Sequence, residues 1–200
     1  MTPSRPTPSH RRGAAVRQAV LDATVELLAT EGLSGTRVAD VAVRAGVHET
    51  SVYRRWGTRT NLILEAVLSR MDADVPVPDT GSTREDLTVL LTALAAFLAT
   101  PTGRALSRLG LTPDDAAQNG AAQGAQPRSE FWTARLTQAA VVIQRGIDRG
   151  DLPPDVDPEF LLEAMGGALH LRILQRGLPA DRDYVSRLVD LVLAGARSSR

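Results

Sequence analysis

Between His48 and Arg55 the chain collects an imidazole at His48, hydroxyls at Thr50, Ser51 and Tyr53, and guanidiniums at Arg54 and Arg55. These are the groups that bond to base edges and phosphates, so the chemistry they offer is non-covalent readout of nucleic acid. The alternative is a solvated, charged helix face. No comparable set supports an enzyme. There is no H-E-x-x-H, no P-loop and no G-x-G-x-x-G after a strand, and the three histidines, at 10, 48 and 170, stand in unrelated segments. Asp114-Asp115 and Asp155/Asp157 read as caps or solvated turns. Gly32-Leu33-Ser34-Gly35 lacks the spacing of a nucleophile elbow. Neither a cofactor nor a metal is expected.

The elements that must position the polar set are two short helices in TRVADVAVRAGVHETSVYRRW, residues 36–56. Val38, Val41, Ala42 and Ala45 fall at i, i+3, i+4 and i+7, one apolar stripe, with Thr36 at the N-cap position. Gly46 is suited to end that helix with a left-handed backbone. In the second helix Val52 and Trp56 share a face and the polar residues point elsewhere. A small residue at the crossing, a glycine in the turn and an apolar anchor behind it are the requirements of a helix-turn-helix. Ala42, Gly46 and Val52 meet them in order.

From Ala14 to about Met71 the chain resembles the TetR family of bacterial transcriptional regulators. The resemblance rests on Gly32, Thr36, the block from Val38 to Ala42, Ala45-Gly46-Val47, Val52-Tyr53, Trp56, Arg59 and Leu62. His48 departs from it, standing where the family has a capping serine or threonine. The resemblance implies an all-α fold: a helix-turn-helix head over 13–71, and a body over 83–200 for effector binding and dimerisation. The DNA-contacting set is then Thr36, Arg37, Arg44, Gly46, His48, Thr50, Ser51, Tyr53, Arg54, Arg55 and Arg59. Thr36 and Tyr53 are expected on phosphates. Arg59 joins the amides of a helix capped by Thr58 to hold another phosphate.

Net charge is zero but unevenly placed. Residues 1–70 carry ten arginines against six acids, and the remainder thirteen against seventeen. That asymmetry suits a basic DNA-binding head on an acidic body. All the basic residues are arginine, a bias that genome composition explains more simply than contact chemistry. The absence of cysteine removes disulfides and thiol chemistry. With no apolar run of about 20 residues and no signal-like N-terminus, a cytoplasmic protein without membrane contact is expected. Residues 1–12, with three prolines, are expected to be disordered. Arg5, Arg11 and Arg12 are either a minor-groove arm or a solubilising tail.

Apolar periodicity predicts a first helix over 13–30 and another from Arg59 to Met71, then a linker over 72–82. In the body, helices are expected at 83–99, 101–109, 128–149, 158–176 and 181–197, with 113–118 a weaker pattern and 119–127 a mobile loop. The helix at 158–176 is apolar nearly all round and must be covered on every side. Gly166-Gly167 inside it costs about 1 kcal/mol each relative to alanine, implying close backbone approach or a kink. The resemblance implies a homodimer through the helices at 128–149 and 158–176, reading a palindromic double-stranded operator. It also implies release by a small, mainly apolar effector. Phe97, Phe131, Trp132, Met165, His170 and Leu174 are the candidate lining, and plain core packing is the competing reading for each. A protein of the same fold that organises DNA or meets a partner without any effector is the other functional reading.

Overall fold

The computed structural model describes the backbone of residues 8–105 and 126–198, and the side chains of 13–105 and 133–197. Among these residues the structure is helical and contains no strand. The helices are α1 (Pro8–Gly35), α2 (Val38–Ala45), α3 (Glu49–Trp56), α4 (Arg59–Asp74), α5 (Thr83–Ala99), α6 (Gln126–Asp148), α7 (Pro158–His170) and α8 (Arg182–Ser198). A further helical stretch covers 101–105, and a π-wound turn, Leu171–Gln175, continues α7. The patterns expected at 106–109 and 113–118, most of the loop at 119–127, and residues 1–7 lie outside the described residues.

Three boundaries differ from expectation. α1 begins at Pro8, so disorder does not extend over 8–12. Proline suits a first helical turn because its missing N–H would have no partner there. At the other end Gly32, with φ 68 and ψ −176, breaks the helix where glycine was expected to stop it. α4 runs to Asp74 rather than Met71, which shortens the linker to residues 75–82. Finally, the helix expected over 158–176 is α-wound only to His170.

Caps account for the sharp starts. The Thr58 and Ser82 hydroxyls accept from Asn61 N and Glu85 N at 3.1 and 3.4 Å. Asp157 accepts from both Glu159 N and Phe160 N, with Pro158 at the first position.

Two apolar cores form, and α4 belongs to both. The head core joins Val20, Leu21 and Leu27 of α1, Val38, Val41 and Ala42 of α2, Val52 and Trp56 of α3, and Leu62 and Ala66 of α4. The body core takes Ile63, Val67 and Met71 from the adjacent face of α4 and packs them with α5, α6, α7 and α8. Residues four apart share a helix face, so the two sets lie on neighbouring stripes of one rod.

The linker is held against α5 and α6. Arg135 Nη2 donates to Val75 O, Arg145 Nη1 to Pro78 O at 3.0 Å, and Thr80 N to Asp86 Oδ1 at 2.6 Å. α5 and α6 meet closely where Gly146 faces Thr83: a Cβ on Gly146 would lie 2.4 Å from Thr83 Oγ1.

The 158–176 segment is not covered on every side by its own chain. Leu161, Leu162, Met165 and Leu169 are buried, whereas Phe160 and Leu171 are 65% and 58% exposed. On the neighbouring α8, Leu191 is 71% exposed. α6, the other helix expected to meet a partner, exposes Val141 but buries Ala139, Val142 and Ile143. Among the described residues Gly166 and Gly167 meet no other backbone: nothing described lies within 4 Å of a Cβ built on either, and the helix runs through both.

Candidate nucleic-acid interface and body cavity

α2 and α3 are aimed by their turn. Gly46 adopts φ 66, ψ 35, and the Val47 N–H returns to Ala42 O at 3.0 Å, ending α2 in the left-handed manner its sequence called for. α3 then starts at Glu49 after an extended His48 whose side chain makes no cap, so the absent serine or threonine is not replaced by the imidazole. Val52 and Trp56, 1% and 7% exposed, anchor α3 to the head core. That anchoring leaves Thr50, Tyr53, Arg54 and Arg55 on the outside, with His48 exposed just before them and Ser51 half-buried.

The far end of α3 is clamped by polar groups. Trp56 Nε1 donates to Glu65 Oε2 at 2.8 Å, Arg17 Nε donates to Glu65 Oε1 at 2.7 Å, and Asn61 Nδ2 reaches Trp56 O at 3.0 Å. One carboxylate of α4 therefore ties α1 to α3. The Arg55 guanidinium stacks over the Trp56 ring, 5.4 Å from its centroid. Ser51, Arg54 and Arg55 share a shallow concavity with Arg17 and Val16 of α1, so α1 adds a guanidinium to the flank of α3.

In the body, a cavity of about 350 Å³ opens between α4, α5, α6 and α7. Met71 and Val75 form its wall at the end of α4, Leu90, Leu91 and Leu94 line it from α5, and Leu136 and Ala139 from α6. α7 contributes Leu162, Glu163, Gly166, Gly167 and His170. Among the described residues Arg135 is the buried charge in this wall, only 8% exposed. Burial lowers its pKa from the ordinary guanidinium value and the Asp72 carboxylate partly opposes that shift. Among the described residues no cluster of His, Asp or Glu could hold a metal ion, and no helix is long and apolar enough to cross a membrane.

Residues 20–66 match the family model of bacterial regulatory proteins of the tetR family, and residues 77–192 match that of the tetracyclin repressor-like C-terminal domain. The chain belongs to the TetR family of transcriptional regulators. It is 38% identical over 184 residues to the HTH-type transcriptional regulator AqdR of Rhodococcus erythropolis, covering 92% of this chain and 86% of that one. It is 29% identical over 188 residues to the DNA-binding transcriptional repressor TetR of Mycobacteroides abscessus, covering 91% and 94%. Among solved structures, the TetR family transcription regulator SCO0332 superposes with a TM-score of 0.75 at 32% identity, over 90% of this chain and 97% of that one.

In this TetR-family regulator, two expected phosphate contacts are internal instead. Thr36 is 1% exposed and does not cap α2; its hydroxyl donates to Gly32 O at 2.8 Å, and Arg37 occupies the cap position. Arg59 turns inward, its Nε donating to Thr36 O at 2.6 Å and its Nη2 to Leu33 O. Two of the five N–H groups of this guanidinium thus brace the α1–α2 junction from inside the head. Arg37 pairs with Asp40 at 3.2 Å, and Arg44 lies 3.9 Å from Glu26, both on the surface. Arg54 has no side-chain partner among the described residues.

The effector residues expected from sequence scatter in the same way. His170 lines the cavity of this TetR-family body, while Phe97 and Met165 are core side chains at 2% and 0% exposure and Leu174 packs against the core from the π-wound turn. The side chains of Phe131 and Trp132 lie outside the described residues. Sequence reasoning missed Arg135, Glu163 and the open space at Gly166-Gly167. A signal for Arg135 was available: it shares the i, i+4, i+7 face of Ala139 and Val142, where a charge is out of place.

Proposed function

We propose that this regulator is a homodimeric repressor that binds a palindromic operator through α3 and leaves it when a small, mainly apolar molecule occupies the body cavity. The observation that carries the proposal is the double membership of α4. Leu62 and Ala66 belong to the core that aims α3, and Met71 and Val75 belong to the cavity wall. A molecule that binds a displaced α4 better than the DNA-competent one shifts the population toward release. The relative from Mycobacteroides abscessus carries the name repressor, which favours that sign of regulation.

The partner surface in this reading is the α7–α8 face. Phe160, Ala164, Gly167 and Leu171 follow at i, i+4, i+7 and i+11, a single exposed stripe, and Leu191 stands beside it across a groove of about 460 Å³. Two such faces related by a twofold axis form a four-helix interface and set two copies of α3 to read successive major grooves.

Footprinting of the purified protein across its own source DNA, at stated ionic strength, tests the proposal. One palindrome beside a neighbouring gene, vacated on addition of apolar compounds, is the expected result. Scattered weak sites with no shared motif would end the repressor reading and leave an architectural role.

A further inference from the structure

Among the described residues the cavity wall is apolar except at Arg135, Glu163 and His170, and solvation separates the three. Glu163 is exposed, so pairing it returns little beyond the hydration it already has. His170 Nδ1 lies 2.8 Å from Gly166 O, which engages that nitrogen within its own helix. Arg135 is buried, and a buried cation is stabilised only as far as its donors are filled.

They are filled in part. Nη1 donates to Asp72 Oδ1 and Gln138 Oε1 at 3.4 and 3.2 Å, and Nη2 donates to Val75 O. A guanidinium has five N–H groups. Nε–H and the second Nη2–H have no acceptor among the described residues. Two of the acceptors in use belong to the end of α4: Asp72 in its last turn and Val75 as its C-cap. One side chain is thus both a wall of the cavity and a tether of the helix that carries the head.

We infer that Arg135 reads the effector: it takes an anionic acceptor, such as a carboxylate, on an otherwise apolar molecule through the two N–H groups that the chain leaves open. The inference rests on the effector reading above and adds to it a class of molecule. A carboxylate approaching side-on takes Nε–H and one Nη2–H together, the two donors that Asp72, Gln138 and Val75 leave open. The apolar body has room over Gly166, where no described atom lies within 4 Å of an added Cβ.

Three probes with one body and different heads test this on the full chain: 2-naphthoate, 2-naphthylmethanol and 2-naphthylmethylammonium. Binding is read by calorimetry, and the end of α4 by hydrogen exchange of amides 71–77. The naphthoate is expected to bind about tenfold or more tighter than the other two, as a charge-assisted hydrogen bond implies. Arg135→Met should abolish the preference and speed that exchange without ligand. Gly166→Leu fills the cavity without touching the tether; it should lose all three probes and keep wild-type exchange at 71–77. Equal affinities, a tighter ammonium, no naphthoate binding, or a preference that survives Arg135→Met would overturn the assignment. None of these readouts involves DNA, so they stand or fall separately from operator binding.

Discussion

The indole N–H of Trp56 donates to one oxygen of Glu65 at 2.8 Å, and the other oxygen accepts from Arg17 at 2.7 Å. The bond fixes the end of α3 to α4, the helix that enters the body core. Trp56→Phe keeps the ring and loses the donor. It should lower stability by about 1 kcal/mol in urea unfolding and weaken DNA binding equally on every sequence, because the whole helix is mis-aimed. An unchanged unfolding midpoint would mean the bond contributes nothing.

Arg54 and Arg59 should give opposite signatures. Arg54 is exposed and unpaired among the described residues, so Arg54→Ala should leave stability within about 0.5 kcal/mol of wild type. It should cost about 1 to 3 kcal/mol of DNA affinity if the residue reads a base, or reduce the salt slope by about one if it clamps a phosphate. Arg59 serves two backbone carbonyls, so Arg59→Ala should destabilise by about 1.5 to 3 kcal/mol. Thermal melts and salt-dependent binding on the same preparations separate the two residues.

The junction of α5 with the end of α6 should be acid-labile. The hydroxyl of Thr83, followed by Arg149, holds the Asp151 carboxyl below the usual carboxylate pKa. A folded pKa below the unfolded one contributes stability above the unfolded value, about 3.9, and loses it as pH falls through the folded value. Asp151→Asn should therefore flatten the decline in melting temperature below about pH 4 and lower the melt at neutral pH. Parallel curves for variant and wild type would exclude Asp151 as a source of that slope.

Gly146→Ala places a methyl 2.4 Å from Thr83 Oγ1 and 2.9 Å from its Cγ2. Overpacking of this kind costs about 1 to 3 kcal/mol. Denaturant unfolding should show the loss, and adding Thr83→Ser, which removes the Cγ2 methyl, should recover part of it. Full additivity of the two changes would argue that they do not touch.

Phe160→Glu with Leu191→Glu puts two carboxylates on the exposed α7–α8 face, and neither side chain is needed by the chain's own core. Light scattering should report a monomer of unchanged helicity that no longer protects a palindrome. A wild-type monomer, or a dimer that survives both changes, would rule out this face as the partner surface.

The helix-turn-helix was legible because every requirement is local. The i, i+3, i+4 spacing of Val38, Val41 and Ala42, the left-handed Gly46 and the Val52–Trp56 anchor lie within 19 residues, and short-range sterics specify them. The helix starts behind Thr58, Ser82 and Asp157 were readable for the same reason, since a capping side chain bonds an amide only two or three positions on. The direction in which long side chains turn was not legible. Arg59 and Thr36 look like phosphate contacts in one dimension, and only the approach of α4 to the α1–α2 junction brings carbonyls within reach of that guanidinium. The cavity, likewise, is a gap between four helices. Phe97 and Met165 fell on the packed sides of their helices, while Gly166, His170 and Arg135 fell on the open one. Helical periodicity states that a stripe is apolar; which neighbour covers it, and where that neighbour stops short, depends on how distant segments pack.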